Sequence, residues 1–355
     1  MIFSAKSWIC QTAGMTREIL TPEGDAGPRR EPRQAFRVVF VMVGLMILPA
    51  ALTLRTVVHP GALRIESSNP TPLGYTWSLL LFVVPLAALS VWFARRRDLV
   101  LARRAFWRTI SVLAAAGFGL DIAFGNAFFT FPNRPATLSL DIPAVGGPIP
   151  VEEFVFYLTG FMLVLLSYIW ADEYWVRAYN IPDYRSEAKE LRRIAQFHAP
   201  SLVLGSVLIA AAVFYKKSLS PSPDGFPWYF CYLTAISFVP SAGFFRAAQP
   251  FINWRAFSFT FVLILLISLL WEVTLAIPYG WWGYRPANMM GLSITAWRGI
   301  PVEAVCVWLA VSFTTVIVYE VIKIWQALGT GACEAFFGKR PPAATESTSD
   351  SRTDS

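Results

Sequence analysis

Two adjacent carboxylates, Glu152 and Glu153, stand at the head of the long apolar run in GPIPVEEFVFYLTGFMLVLLSYIW, residues 147–170. An ionised carboxylate beside a bilayer is costly, so each needs either a structural reason or a chemical task. Sliding the chain along itself by 151 residues lays Ile149-Pro150-Val151-Glu152 on Ile300-Pro301-Val302-Glu303. The same shift, without a gap, lays Asp121 on Glu272, Arg134-Pro135-Ala136 on Arg285-Pro286-Ala287, Phe131 on Trp282, Tyr157 on Trp308 and Tyr168 on Tyr319. Each half therefore offers one deep acid (Asp121 or Glu272) and one acid at the start of its last apolar run (Glu152 or Glu303). Ala304 occupies the place of Glu153, so the halves are chemically unequal.

For a single copy, Pro-Val-Glu-Glu is an ordinary helix start. Proline (Pro150, Pro301) suits the first helical position, and carboxylates in the first turn complement the helix dipole. A cap does not need a second acid at a fixed position in another span, and intramembrane carboxylates point to function. Neighbours on a helix lie about 100° apart, so only one of Glu152 and Glu153 can point straight into a bundle. Glu152, the repeated one, is the expected choice.

Between deep and outer acids lie aromatic-rich loops. The first contains Phe128, Phe129 and Phe131, and the second Tyr279, Trp281, Trp282, Tyr284 and Trp297. These rings, with Tyr157 and Trp308, fit an interfacial aromatic belt or a π-lined wall able to hold a cation. Arg134 and Arg285 are expected to brace the loops by pairing with carboxylates. A protonated carboxyl in such a site suits proton donation to an alkene and shielding of the resulting carbocation.

The elements that must position these groups are membrane helices. The chain is 55% hydrophobic and 15% charged, with a mean hydropathy of +0.49, far from the soluble norm. Apolar runs at 36–54, 73–94, 109–128, 150–170, 199–215, 227–245, 256–278 and 300–325 are each near the ~20 residues needed to cross. They predict an all-α bundle of eight transmembrane helices in two tandem four-helix repeats, 36–198 and 199–328, between a tail at 1–35 and a disordered tail at 329–355.

Basic residues crowd the N-terminal tail (Arg29, Arg30, Arg33, Arg37) and the connections at 95–108 and 171–198. The positive-inside rule then places both termini in the cytoplasm, in a multi-pass protein of the plasma membrane. The net charge of +7 follows this loop bias, which suits anionic headgroups and excludes a nucleic-acid partner. Neither Cys10, Cys231, Cys306 and Cys333 nor His59 and His198 are spaced as metal ligands or as a disulfide framework. No signal peptide is visible, and Met15 is an alternative start. GxGxxG after a strand, GxxxxGKS/T, HExxH and GxSxG are missing, as are the DxxxD pairs of Mg-diphosphate prenyltransferases. No cofactor or metal is expected.

PVEE and PVEA, each opening a span after an aromatic loop (GWWGYRP in the second), resemble the integral-membrane lycopene cyclase family in its fused form, over roughly 75–180 and 230–325. The family's acids fall on Glu152, Glu153 and Glu303, and Ala304 departs from the pattern. The resemblance implies a linear carotenoid such as lycopene, drawn from the bilayer, whose terminal double bond is protonated and closed to a β-ionone-type ring. Other carotenoid-biosynthesis enzymes are implied as partners. A cyclase of C50 carotenoids or of other terpenes, and a hydratase, share the chemistry. Parallel repeats with intramembrane acids also describe transporters, although Pro85 and Pro240 do not superpose under the shift. One composite site is expected where the halves meet, with Glu152/Glu153 as acid, Glu303 or Glu272 as base, and Trp282 and Tyr284 shielding the cation.

Overall fold

Without water to bind backbone N–H and C=O groups, apolar runs of this length close their hydrogen bonds internally as helices. A computed structural model describes residues 71–95, 102–176, 193–294 and 299–338, together with Leu52 and Leu191. Its long helices are α2 (Leu80–Arg95, entered through the short α1, Gly74–Ser78), α3 (Arg103–Phe128), α4 (Val151–Trp170), α5 (Ala199–Ser218), α6 (Trp228–Ala248), α7 (Trp254–Trp271) and α8 (Glu303–Leu328). Seven helices among the described residues are long and apolar enough to span a membrane. The expected span at 36–54 and the tail at 1–35 fall outside the described residues, apart from Leu52.

The helix ends differ from the apolar runs in instructive ways. Helix α3 starts at Arg103, six residues before its apolar run, and so carries Arg103, Arg104 and Arg108 in its first turns. Helix α4 runs on through a π-helical turn, Ala171–Trp175, and α7 through another, Glu272–Ala276. Their Val176 and Ile277 amides reach back to the Ala171 and Glu272 carbonyls at 2.8 and 3.0 Å. Pro150 and Pro301 are not the first helical residues, as expected, but the last residues of short strands. Residues 332–337 are not disordered as expected: Ala332–Phe337 forms a short helix, α9.

Among the described residues, six two-residue strands order the loops at one end of the bundle. In the first loop, β1 (Phe129–Thr130) precedes a hairpin of β2 (Asp141–Ile142) and β3 (Ile149–Pro150). In the second, β4 (Gly283–Tyr284) precedes β5 (Ser293–Ile294) paired with β6 (Ile300–Pro301). Strand β1 pairs antiparallel with β4, setting Phe129 opposite Tyr284 and Thr130 opposite Gly283. The two loops are thereby joined across the molecule.

Helices α4 and α8 form the centre. Of the apolar window of Val151–Trp175, 72% is buried, against 22% for that of Ala199–Ser218, which faces outward. Helix α4 packs on α2, α3, α7 and α8, and α8 packs on α3, α4, α6 and α7. The interior thus mixes elements from residues 36–198 with elements from 199–328.

Candidate functional site

Between α4, α7 and α8, beneath β1 and β4, lies a cavity of about 40 Å³. Two carboxylates from distant parts of the chain line it, Glu153 and Glu272. Its walls are aromatic: Phe156 and Tyr157 from α4, Trp271 from α7, Trp308 from α8, and Trp282 and Tyr284 from the second loop. Phe129 of β1 and Tyr229 of α6 complete the wall. The rings support one another, with Trp271 and Trp282 centroids 4.7 Å apart and Phe156 stacked on Trp271 at 5.4 Å.

The two adjacent glutamates part company here. Glu153, 5% exposed, accepts a hydrogen bond from the Tyr75 hydroxyl at 2.8 Å and faces the cavity. Glu152, 1% exposed, turns away, and its Oε1 accepts from the Leu138 amide and the Thr76 hydroxyl, both at 2.6 Å. Glu303 repeats that arrangement: its Oε1 accepts from the Met290 amide at 2.5 Å. The repeated glutamates therefore tie the outer loops to the starts of α4 and α8. This corrects the expectation that Glu152, because it is repeated, is the one that points to the site.

Glu272 opens the π-helical turn after α7, a feature that often marks functional sites because it re-aims a side chain. The Tyr284 hydroxyl donates to Glu272 Oε1. Burial first, and then the neighbouring Glu272, hold the Tyr284 phenol well above the usual tyrosine range, so it stays a donor. Tyr284 and Trp282 also line a second, outer pocket of about 500 Å³, and so form the partition between the two spaces.

The remaining expected site residues fall into supporting places. Asp121 is buried beside Tyr157, behind the cavity wall and not on it. It fits only because Gly125 has no side chain: a Cβ there would lie 2.5 Å from Asp121 Oδ1. Trp281 is wholly buried but off the cavity, stacked on Tyr75 at 6.1 Å, with its indole N–H donated to Thr71 Oγ1 at 2.8 Å. Phe131 packs against the neighbouring cluster of Phe128, Tyr229 and Leu233. Trp297 lies outside the described residues. Arg134 pairs with Asp141 at 2.7 Å, as expected of a loop brace. Arg285 braces differently, donating from Nε to the Asn126 and Phe129 carbonyls at 2.7 and 3.3 Å.

Sequence reasoning missed Tyr75, Phe156, Tyr229, Ser268 and Trp271. A signal for Tyr75 was present: the 151-residue shift also lays Gly74-Tyr75-Thr76-Trp77 on Gly225-Phe226-Pro227-Trp228. The hydroxyl–carboxyl pair Tyr75–Glu153 of the first half becomes the apolar pair Phe226 and Ala304 in the second. Among the described residues, no group of three His, Cys, Asp or Glu side chains is arranged to hold a metal ion. Comparison with protein-family models, with curated proteins and with solved structures gave no match.

Proposed function

We propose that this chain is a carotenoid cyclase that closes a six-membered end ring on a linear, lycopene-type polyene by acid–base catalysis. One observation carries the reading: Glu153 and Glu272, supplied by different helices, face a single apolar cavity walled by aromatic rings. Protonated Glu153 gives its proton to the terminal alkene of the polyene, forming a C–H bond and a tertiary carbocation. The neighbouring internal alkene attacks that cation and forms the ring C–C bond. Ionised Glu272 then removes a proton from the carbon beside the new cation, and the electrons of that C–H bond become the ring double bond. Substrate and product are isomers, so the balance needs no oxidant, reductant or nucleotide, and no cofactor is invoked. The faces of Trp271, Trp282 and Trp308 shield the cation, each such contact being worth about 2 kcal/mol in a dry site.

A cavity of about 40 Å³ holds little more than about two waters, whereas ligand sites usually enclose about 300 Å³ or more. Binding of a polyene end therefore requires the Trp282 and Tyr284 side chains to swing aside, which joins the cavity to the outer pocket.

The same reading takes the chain as two tandem four-helix repeats forming one composite site. Elements recurring 151 residues apart support it: β3 at 149–150 with β6 at 300–301, and the starts of α3 at 103 and of α7 at 254. It places both termini in the cytoplasm of the plasma membrane, takes substrate from the bilayer, and passes product to other carotenoid-processing enzymes. Expression of the full chain in cells that accumulate lycopene, followed by chromatography and mass spectrometry of the pigments, tests the proposal. Products of unchanged mass with one or two end rings are expected. Products heavier by one water would make the chain a hydratase, and untouched lycopene would sink the reading.

A further inference from the structure

Two residues without the freedom of glycine, Thr71 and Leu73, hold left-handed backbone, with φ of 34° and 54°. For a β-branched threonine that conformation is strained, and it persists only where its surroundings over-determine it. Both outer loops supply that grip. From the first, the Pro135 carbonyl accepts from the Leu73 amide at 2.9 Å, and Asn133 Nδ2 donates to Thr71 Oγ1 at 3.3 Å. From the second, the Trp281 indole donates to the same Thr71 Oγ1 at 2.8 Å. Gly74 closes the turn, its amide donating to the Thr71 carbonyl at 2.7 Å, and a Cβ on it would stand 2.9 Å from Trp281 Cζ2.

The turn launches α1, which meets the start of α4 residue by residue. Tyr75 donates to Glu153 Oε2 at 2.8 Å, and the next residue, Thr76, donates to Glu152 Oε1 at 2.6 Å. Two consecutive hydroxyls thus sort two consecutive carboxylates. The second half has neither hydroxyl: the 151-residue shift puts Phe226 and Pro227 opposite Tyr75 and Thr76, and Ala304 opposite Glu153. There the phenol and its acceptor are missing together, which ties the Tyr75 hydroxyl to Glu153 and not to the fold of the repeat.

The Tyr75 ring is held on several sides. It is wholly buried, stacked on Trp281 and in edge contact with Trp282 at 5.4 Å. A buried phenol needs an acceptor, and Glu153 Oε2 is the one it has. In a neutral carboxylic acid the carbonyl oxygen accepts and the other oxygen carries the proton. With Oε2 taken by Tyr75, the proton of Glu153 sits on Oε1, the oxygen left for the cavity. Without the Tyr75 hydroxyl, either oxygen can carry it.

We propose that Tyr75 is a positioning residue for the acid: gripped through the 71–74 turn by both outer loops, its hydroxyl pins Glu153 Oε2 and so places the transferable proton on Oε1, toward the substrate. Which oxygen carries the proton is a property of the protein alone, whereas its value for ring closure rests on the cyclase reading above. The grip also makes the aim of the acid depend on both loops, since Pro135 belongs to one and Trp281 to the other.

The first measurement is the infrared spectrum of purified full-length protein in detergent at acid pH, where carboxyls are protonated. The C=O band present in the parent and missing from Glu153→Gln belongs to Glu153. Tyr75→Phe keeps the ring and deletes the donor, so that band should move to higher wavenumber. Ser78→Ala removes another α1 hydroxyl, one turned to the Tyr75 carbonyl, and should leave the band in place. The second measurement is turnover of lycopene in proteoliposomes, where Tyr75→Phe should lower kcat by roughly 10–10²-fold with KM little changed. Circular dichroism confirms that the variants being compared are folded. A Glu153 band unmoved by Tyr75→Phe, or moved equally by Ser78→Ala, would overturn the placement of the proton, and an unaltered kcat would overturn the role of Tyr75 in turnover. Parent protein that leaves lycopene untouched would sink the cyclase reading instead, and the infrared comparison would still decide where the proton sits.

Discussion

Glu152 and Glu153 are consecutive residues that do opposite things: the Leu138 amide holds Glu152 at 2.6 Å, whereas the Tyr75 hydroxyl holds Glu153 at 2.8 Å on the cavity side. The rotation of about 100° between helical neighbours suffices to send one carboxylate to a loop and the other to a site. A hydrogen bond of the first kind contributes about 0.5–1.5 kcal/mol, and leaving the part-buried Leu138 amide without it costs more. The geometry shared by Glu152 and Glu303 is therefore a structural brace on both outer loops.

The two glutamates should separate by function when changed one at a time. Glu153→Gln removes the proposed proton donor, and on that proposal ring formation falls by roughly 10²–10⁴-fold with normal protein levels. Glu152→Gln keeps an oxygen that can accept from the Leu138 amide, so much of the activity should survive, with some loss of thermal stability. Pigment yield per unit of membrane protein measures both. Equal losses in the two variants would remove the distinction drawn from their geometry.

A methyl group at Gly125 should act on the site from behind its wall. Gly125→Ala places a Cβ 2.5 Å from Asp121 Oδ1 and 2.8 Å from Ile149 Cδ1, so both neighbours must move. Overpacking of this kind costs about 1–3 kcal/mol. Gly119→Ala, on the same helix with nothing within 4 Å, is the control and should be neutral or slightly stabilising. Thermal unfolding in detergent compares them, and equal midpoints would show that Asp121 is not confined.

Tyr284 gives a dependence on pH. Its phenol is raised in the folded protein by burial and by Glu272, while an unfolded tyrosine ionises near pH 10. Above that pH the unfolded chain loses a proton that the folded chain keeps, so stability falls as pH rises through this range and is unaffected below it. Tyr284→Phe deletes this contribution, and its melting temperature should decline less steeply between about pH 9 and pH 12 than that of the parent protein. Parallel slopes would mean that Tyr284 titrates normally.

Orientation can be read from the outer loops. Ser139 and Ser293 are exposed on the loops at 129–149 and 279–299, which the distribution of Arg and Lys assigns to the non-cytoplasmic face. Cysteines placed there should react with an impermeant thiol reagent applied to intact cells. Protection of both until the cells are broken would invert the topology.

The sequence by itself determined the membrane class, because apolar runs near ~20 residues long have one stable backbone solution in a bilayer. It also marked Glu153, Glu272, Trp282, Tyr284, Tyr157, Trp308 and Phe129 as site material: Glu272, Trp282, Tyr157 and Trp308 fall on matched acids or aromatics, and Glu153, Tyr284 and Phe129 stand in the acid pair and the aromatic loops beside them. Tertiary structure alone decided which of them meet. Trp281 and Trp282 are neighbours in an aromatic loop, yet one stacks on Tyr75 off the cavity and the other walls it. Tyr75 reaches Glu153 across 78 residues because α1 and α2 bring it beside α4, a contact no local pattern encodes. The choice between Glu152 and Glu153 turned on where the Leu138 amide stands. That position depends on the β2–β3 hairpin, on the pairing of β1 with β4, and so on the joining of the two loops.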